Sequence, residues 1–416
     1  MSLIVNEQDR FVKYKYAITE FYIIINGVST SFPIEKITGF RIENYFEDAS
    51  FPIFKVNLIM EPSRYFEIIQ NKDNAKFKMR IQSYYTNNDS TTKSMTRDII
   101  NDVFVIFPDD SNADYEKERK KEAGTDKDQN ELEKSGNPVE LFLFQDKIVN
   151  GLRSLFNGVV HDSNLASVVT YLLQTAGAKK ILMSPFDNDT VFRDIVLPPQ
   201  SIEKQIKYLN NNYGFHEYGT LFFFGLMYSY VLNCNGRCTA YDDNDTKETV
   251  IYILESTNTN SALSSTIIKY NDNKNYLNVS SSNIDITTGS VTSNVITGVN
   301  ADVVDLQSGE MTEIEIDAST VGDTNKGVIF NNTSNPYLGK TYASLKQSSS
   351  TMITFGVKDV NFTALTPNKD FSVIFESPSL NSKYKGNYRI SSVIYVFSGS
   401  KDDFTVDAVV TVKKVN

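Results

Sequence analysis

Phe404, Val406, Ala408, Val410 and Val412 occupy every second position of the chain's last apolar run. Successive side chains of a strand point to opposite faces, so these five share one face, with polar or exposed neighbours on the other. A strand with one fully apolar face must lie in a sheet over a core, because a free apolar edge templates aggregation. The same period recurs. In "FPIFKVNLIM" Phe54, Val56, Leu58 and Met60 share a face, and in "AKFKMRIQSY" Phe77, Met79 and Ile81 do. "ITEFYIIING", "NDVFVIF", "FSVIFES" and "YRISSVIYVF" read as further strands. The two nearest apolar strands, 371–375 and 388–396, are too few to bury the face of the last one. A partner from earlier in the sequence is required, and residues 190–255 are the expected source.

A chain of 416 residues exceeds one ordinary core, so several domains are expected. Tyr (23) and Phe (27) supply the strands, while abundant Ser, Thr, Asn and Asp supply turns. A net charge of −10 with no basic stripe argues against a nucleic-acid partner. No apolar stretch approaches the ~18 residues of a membrane span, and the first residues do not form a secretory signal. Cys234 and Cys238 lie four apart in "CNGRC". A hairpin disulfide, half a metal site or two free thiols all fit this spacing.

Helices punctuate the strands. "EPSRYFEIIQNKDN" opens with Pro62, which suits a first turn, and places Phe66 and Ile69 on one face. "HDSNLASVVTYLLQTAG" carries an apolar stripe of Leu165, Val168, Val169, Leu172, Leu173 and Ala176, with Asp162 or Ser163 as cap and Gly177 as stop. In "DIVLPPQSIEKQIKYLNNNYGFHEYGTLFFF" two prolines halt a strand. Ser201 caps a helix with Ile202, Ile206 and Leu209 on one face, and a hairpin starts at Phe215. This strand–Pro–helix–strand order matches that of residues 51–84 and suggests a faint duplication. Residues 111–137 carry dense charge of both signs without apolar period and read as a solvated insertion.

Chemistry finds little footing. His216 is expected on a strand, where Glu217 points to the opposite face and cannot orient its ring. The other histidine, His161, precedes a helix. No serine sits in a Gly-x-Ser-x-Gly elbow, no phosphate loop or dinucleotide fingerprint occurs, and the acidic run at 242–248 lacks the glycine and spaced glutamate of a calcium loop. Other acidic clusters fall in evident loops rather than apolar pockets. No catalytic, cofactor-binding or metal-ligating residue is expected, and the protein is read as not an enzyme.

Over residues 139–233, the capped helix followed by "LPPQSIEKQIKYLNNNYGFHEYGTLFFF...YVLN" resembles the baseplate (tail) hub proteins of long-tailed bacteriophages. It is also similar to the base of type VI secretion spike proteins. The end of the chain resembles them too: "NFTALTPNKDFSVIFES" is followed by a Gly-Xaa-Tyr-Xaa-Ile strand at Gly386, Tyr388 and Ile390 and by a final alternating strand. The resemblance implies a mainly β protein with a few helices (α+β), built of two tail-tube-like barrel or sandwich domains plus inserted α/β and polar β segments. It implies a homotrimer in the virion baseplate, made in the host cytoplasm. The trimer would join a six-fold tail tube to a three-fold central spike, beside other baseplate proteins and without direct nucleic-acid or membrane binding. No cofactor is implied. The alternative is a carbohydrate- or receptor-binding tail protein, for which the tyrosines and the polar region 240–350 could line a site.

The expected divisions are a first tube-like domain at 1–110, a charged insertion at 111–138 and a small α/β connecting domain at 139–190. A second, discontinuous tube-like domain would combine 190–255 with 350–416, and 256–349 would be a polar, loop-rich β insertion. The segment 208–224 is expected to be a wall of the second barrel.

Overall fold

The computed structural model describes residues 3–4, 13–46, 50–86, 94–106, 136–178, 180–217, 219–226, 228–234, 248–254, 274–280, 284–288, 300–305, 311–315, 327–331, 335–337, 351–357, 365–400 and 403–414. The chain begins with β1 (Leu3–Ile4), β2 (Lys13–Ile25), β3 (Val28–Ser31), β4 (Ile37–Tyr45) and β5 (Ile53–Met60). Helix α1 (Pro62–Gln70) then leads to β6 (Ala75–Thr86), β7 (Ser94–Ile106) and β8 (Asn137–Gln145). A middle block holds α2 (Asp146–Arg153), β9 (Leu155–Asn164), α3 (Leu165–Thr175), β10 (Ile181–Met183), β11 (Val191–Ser201), α4 (Ile202–Tyr213), β12 (Thr220–Phe224) and β13 (Ser229–Asn233). The remainder is β14 (Glu248–Leu254), β15 (Lys274–Ser280), β16 (Ile284–Thr288), β17 (Asn300–Asp305), β18 (Met311–Glu315), β19 (Gly327–Asn331), β20 (Thr351–Val357), β21 (Asp370–Phe375), α5 (Pro378–Tyr384), β22 (Gly386–Ser400) and β23 (Asp403–Lys414). The protein is mainly β with a few helices.

Eight strands close on themselves in the order β2-β6-β7-β8-β5-β4-β22-β23 and back to β2, every pair antiparallel. The alternating residues read from the sequence fill this barrel: Phe54, Val56 and Leu58 from β5 and Phe77, Met79 and Ile81 from β6 are fully buried. Its outer face carries polar ladders instead. Glu20 accepts from Lys78 and Arg80, and Arg80 also forks onto Asp98, three neighbouring strands stitched by charge.

The barrel is not the unit expected at 1–110. Its closure needs β8, which bonds β5 on one side and β7 on the other, and the hairpin at the far end of the chain. A boundary at 138/139 cuts β8 in two. Without β8, the β5 and β7 edges would each expose a row of unpaired backbone groups.

Strands β22 and β23 run through two sheets. Ser392–Phe397 bonds β4, whereas the preceding stretch, 386–389, bonds β21. In β23, Phe404 faces Tyr16 of β2, whereas Ala408–Lys413 bonds β20. The second sheet therefore runs β1-β15-β14-β21-β22-β23-β20-β16, with β14 parallel to both β15 and β21. The early strand bonded directly to the last apolar strand is β2, through Tyr16 and Phe404; from 190–255, β14 reaches the same sheet by pairing with β21. Among the described residues only β14 of 190–255 joins this sheet; residues 190–233 lie in the middle block, whose core is built on α3 and α4 and whose sheet β10-β13-β12 also meets the barrel core. The range 256–349 also divides. Strands β15 and β16 lie in the second sheet, and β17, β18 and β19 form a small sheet of their own.

In the middle block Leu165, Val168, Leu172, Ile202, Ile206 and Leu209 of α3 and α4 pack against Ile195 and Leu197 of β11. Two helical stripes facing one strand bury each other completely, which is why this stretch stands apart from the barrels. Helix α3 is capped by Asn164, whose side chain accepts from Ser167 N; Asp162 and Ser163 lie in β9 instead. Ser201 caps α4 as expected, and Gly214 (φ 67) ends it. Helix α1 buries Tyr65 and Ile68, one residue out of phase with the expected face, and leaves Phe66 37% exposed.

The strand–Pro–helix–strand units do not occupy equivalent places. Strands β5 and β6 flanking α1 are barrel strands, whereas β11 and β12 flanking α4 lie in two small sheets outside the barrel and the second sheet.

Candidate assembly surfaces

The stretch 208–224 is a partition rather than a barrel wall. The sheet β10-β13-β12 stands between two cores. Phe224 and Val231 point into the helical core, while Phe223, Tyr230 and Leu232 point into the barrel core. Strand alternation sends neighbouring aromatics to opposite sides. The hairpin expected from Phe215 is instead β12–β13, closed by the Gly225 N to Tyr228 O bond. Phe46 meets Phe223 edge-on at 4.8 Å, and Phe224 N donates to Ser50 O at 2.7 Å, so the partition is fastened to the barrel.

His216 sits in a bend before β12, not on a strand. It is 1% exposed. Asn210 Oδ1 accepts from Phe215 N and from the Thr220 hydroxyl. The Thr220 proton is thereby committed, so Thr220 Oγ1 accepts from His216 Nδ1–H at 2.9 Å. Burial pushes the imidazole pKa down, against the nearby Asp187 charge. Phe186 meets the ring edge-on at 5.1 Å. This histidine is a hydrogen-bonded packing residue at the end of α4.

His161 is placed very differently. Its Nδ1 lies 2.6 Å from Asp194 Oδ1 across β9 and β11, with the side chain 68% exposed. Asp194 is a neighbour the sequence reading missed, because only strand pairing brings residues 161 and 194 together. Ser163 turns its hydroxyl to the His161 carbonyl rather than to the ring, so no nucleophile is aligned. Among the described residues no group of three or more His, Cys, Asp or Glu side chains is gathered to hold a metal. Of the two cysteines only Cys234 lies among the described residues, and it is half-buried. The acidic run at 108–114, residues 401–402 and the calcium-like run at 242–247 lie outside them, as do residues 111–135.

Among the described residues, two strand faces expose neighbouring apolar side chains. The ribbon β9–β11 exposes Leu155 (81%), Val159 (50%) and Val196 (52%), and Val159 and Val196 are direct cross-strand neighbours. Its register breaks at Pro198–Pro199, where the strand bulges rather than stopping. There Gln205 of α4, fully buried, donates its amide to the carbonyls of Phe156 and Pro198, satisfying both strands at the bulge. The second surface is the outer face of the shared hairpin, where Val396 and Val409 are each more than a third exposed and Ile394 pairs with Val409.

A strap from the polar region closes the block. Asn335 donates to Asn211 O at 2.8 Å and accepts from Tyr337 N, and the Tyr337 hydroxyl donates to Asp187 O. It lies against Gly214, where a Cβ would stand 2.3 Å from Asn335 Oδ1.

The description "Bacteriophage PBS1 gene 109 protein" matches residues 8–415 of the chain. The chain belongs to that family. Among solved structures, this member of the PBS1 gene 109 family is similar to the tail protein from Neisseria meningitidis MC58, at 11% identity over 96% of each chain with a TM-score of 0.51. At that identity the likeness is one of fold. Weaker likenesses are to the 43 kDa tail protein of prophage MuSo2 from Shewanella oneidensis (11% identity, 95% of this chain and 96% of that one, TM-score 0.49) and to a chain of the Francisella PdpA–VgrG complex (9% identity, 98% and 54%, TM-score 0.48). No curated protein matches the gene 109 family chain.

Proposed function

We propose that the protein is a structural subunit of the phage baseplate, a hub that assembles as a homotrimer and joins the six-fold tail tube to a three-fold central spike. The observation that carries this reading is the closed eight-strand barrel sharing its last two strands with a second sheet, in a bacteriophage family and with the fold of a tail protein. The closed barrel and the sheet beyond it are the two tube-like units. Three chains would then offer six such units to a six-fold partner, because cyclic symmetry repeats each contact. The tail tube, the spike and other baseplate proteins are the partners, and neither catalysis nor a cofactor has a part.

Native mass spectrometry of the purified chain, together with imaging of assembled tails, tests the reading. Three copies at the tube–spike junction are expected. A monomer or hexamer in the assembled tail refutes it.

A further inference from the structure

The ribbon β9–β11 supports an inference that rests on the trimer reading above. One face of the ribbon, with Val160, Ile195 and Leu197, packs on the core of α3 and α4. The opposite face presents Leu155, Val159 and Val196 to solvent. Among the described residues neither strand pairs with a third; the unpaired edge spans the 10 residues of β9, and on β11 it runs from Val191 to Leu197, before the bulge at Pro198 and Pro199. A two-stranded sheet is marginal alone, and long apolar edges are templates for further pairing.

The two open edges are different surfaces, one on β9 and one on β11. A contact between two different surfaces of one chain, repeated by rotation, closes into a ring when the rotation closes and otherwise runs on as a filament; the three-fold axis of the trimer reading supplies the closed case. Because β9 and β11 are antiparallel, the β11 edge of one copy set beside the β9 edge of the next continues the antiparallel order. Three copies give six strands and no remaining edge. The charged residues next to Val159 and Val196 are His161 and Asp194, already hydrogen-bonded to each other, and the exposed Arg193, which lies 3.8 Å from Asp194. Copies meeting on an axis thus bring together three bonded pairs rather than three unaccompanied carboxylates. The helices lie on the other side of each ribbon, where they cannot obstruct that approach.

We propose that the three ribbons of a trimer pair edge to edge into a six-stranded antiparallel barrel on the three-fold axis, with Leu155, Val159 and Val196 inside and α3 and α4 outside. The occupant of the bare face is therefore another copy of this chain.

The test uses the full chain. Val159→Asp with Val196→Asp places six carboxylates inside the ring, and native mass spectrometry should show loss of the three-copy mass in favour of single copies. Circular dichroism should stay unchanged, since both residues face solvent in the single chain. Leu155→Arg serves as a second variant with still less consequence for folding. Val159→Cys, in a Cys234→Ser, Cys238→Ser background, should form inter-chain disulfides under mild oxidation. A trimer that persists in the double Asp variant and yields no Val159→Cys cross-link overturns the ribbon barrel while leaving the trimer reading intact. A wild-type chain that is no trimer, alone or in the tail, overturns both.

Discussion

Replacing Gln205 by leucine is the sharpest probe of the middle block. The side chain is fully buried on α4, and its amide bridges the carbonyls of Phe156 and Pro198 where two prolines force β11 to bulge. Proline has no N–H, so the ladder cannot supply these donors itself. Leucine keeps the volume but strands two carbonyls, at about 1–3 kcal/mol each. It also removes Gln205 Oε1, a buried acceptor without a hydrogen bond, which returns about 1–3 kcal/mol. The net expectation is a loss of about 1–3 kcal/mol, confined to the ribbon. Gln205→Glu should be worse at neutral pH, because it sets a buried carboxylate against two carbonyl oxygens. Burial raises that carboxyl's pKa, so the defect should shrink as pH falls. Since a chain of several units need not unfold in two states, the assay is amide hydrogen exchange resolved to residues 155–164 and 191–201. Faster exchange there, with barrel amides unchanged, is expected for Gln205→Leu. Unaltered exchange in both segments would refute the bridging argument.

Gly151→Ala should lower the melting temperature strongly, because its Cβ would stand 1.9 Å from the Ala176 carbonyl oxygen and the α2–α3 approach must open, at about 3 kcal/mol. Gly214→Ala combines a positive φ of 67° with a clash on Asn335, so limited proteolysis should show the 335–337 strap released. Tyr395→Phe should cost about 1 kcal/mol in denaturant titration, since the buried hydroxyl donates to Leu365 O at 3.0 Å. Burial pushes the Tyr388 phenol up to about 12 from an ordinary 10. The folded state thus favours the neutral phenol: this contribution is complete below pH 10 and is lost as pH rises through 12. Tyr388→Phe should flatten that alkaline decline, and an identical pH profile in the variant would contradict the assignment.

The barrel strands were legible because period-two alternation needs only local sequence: Phe54 to Met60 and Phe404 to Val412 are buried as read. The stripe of α3 and the Ser201 cap of α4 were legible for the same reason. What sequence could not convey was pairing across distance. Nothing local in "NPVELFLFQ" says that it fits between β5 and β7, and nothing near His161 announces Asp194. Strand β9 was hidden because "HDSN" offers two helix caps before the true one, Asn164, drawing the helix start too early. The prolines of β11 read as a stop because their missing donors are replaced from another element. A buried, uncharged Gln205 on an otherwise amphipathic helix was the available signal. His216 was read as a strand residue, and that placement was wrong. Its partner is Thr220, and the bend at Gly214 takes it off any strand.

The shared hairpin also governs how the chain can be made. Tyr16 of β2 finds its partner in Phe404, and β4 finds its partner in β22, so the barrel that begins first in synthesis closes last. A nascent chain that has already released β2 to β8 from the ribosome still holds two open edges, and they stay open until almost the whole sequence has emerged. Contacts of such span make for slow folding and a long-lived exposed intermediate. They also act as a length check. A product truncated anywhere before residue 386 lacks both strands that seal the barrel, so it presents unpaired edges to chaperones and proteases instead of a finished surface to its assembly partners.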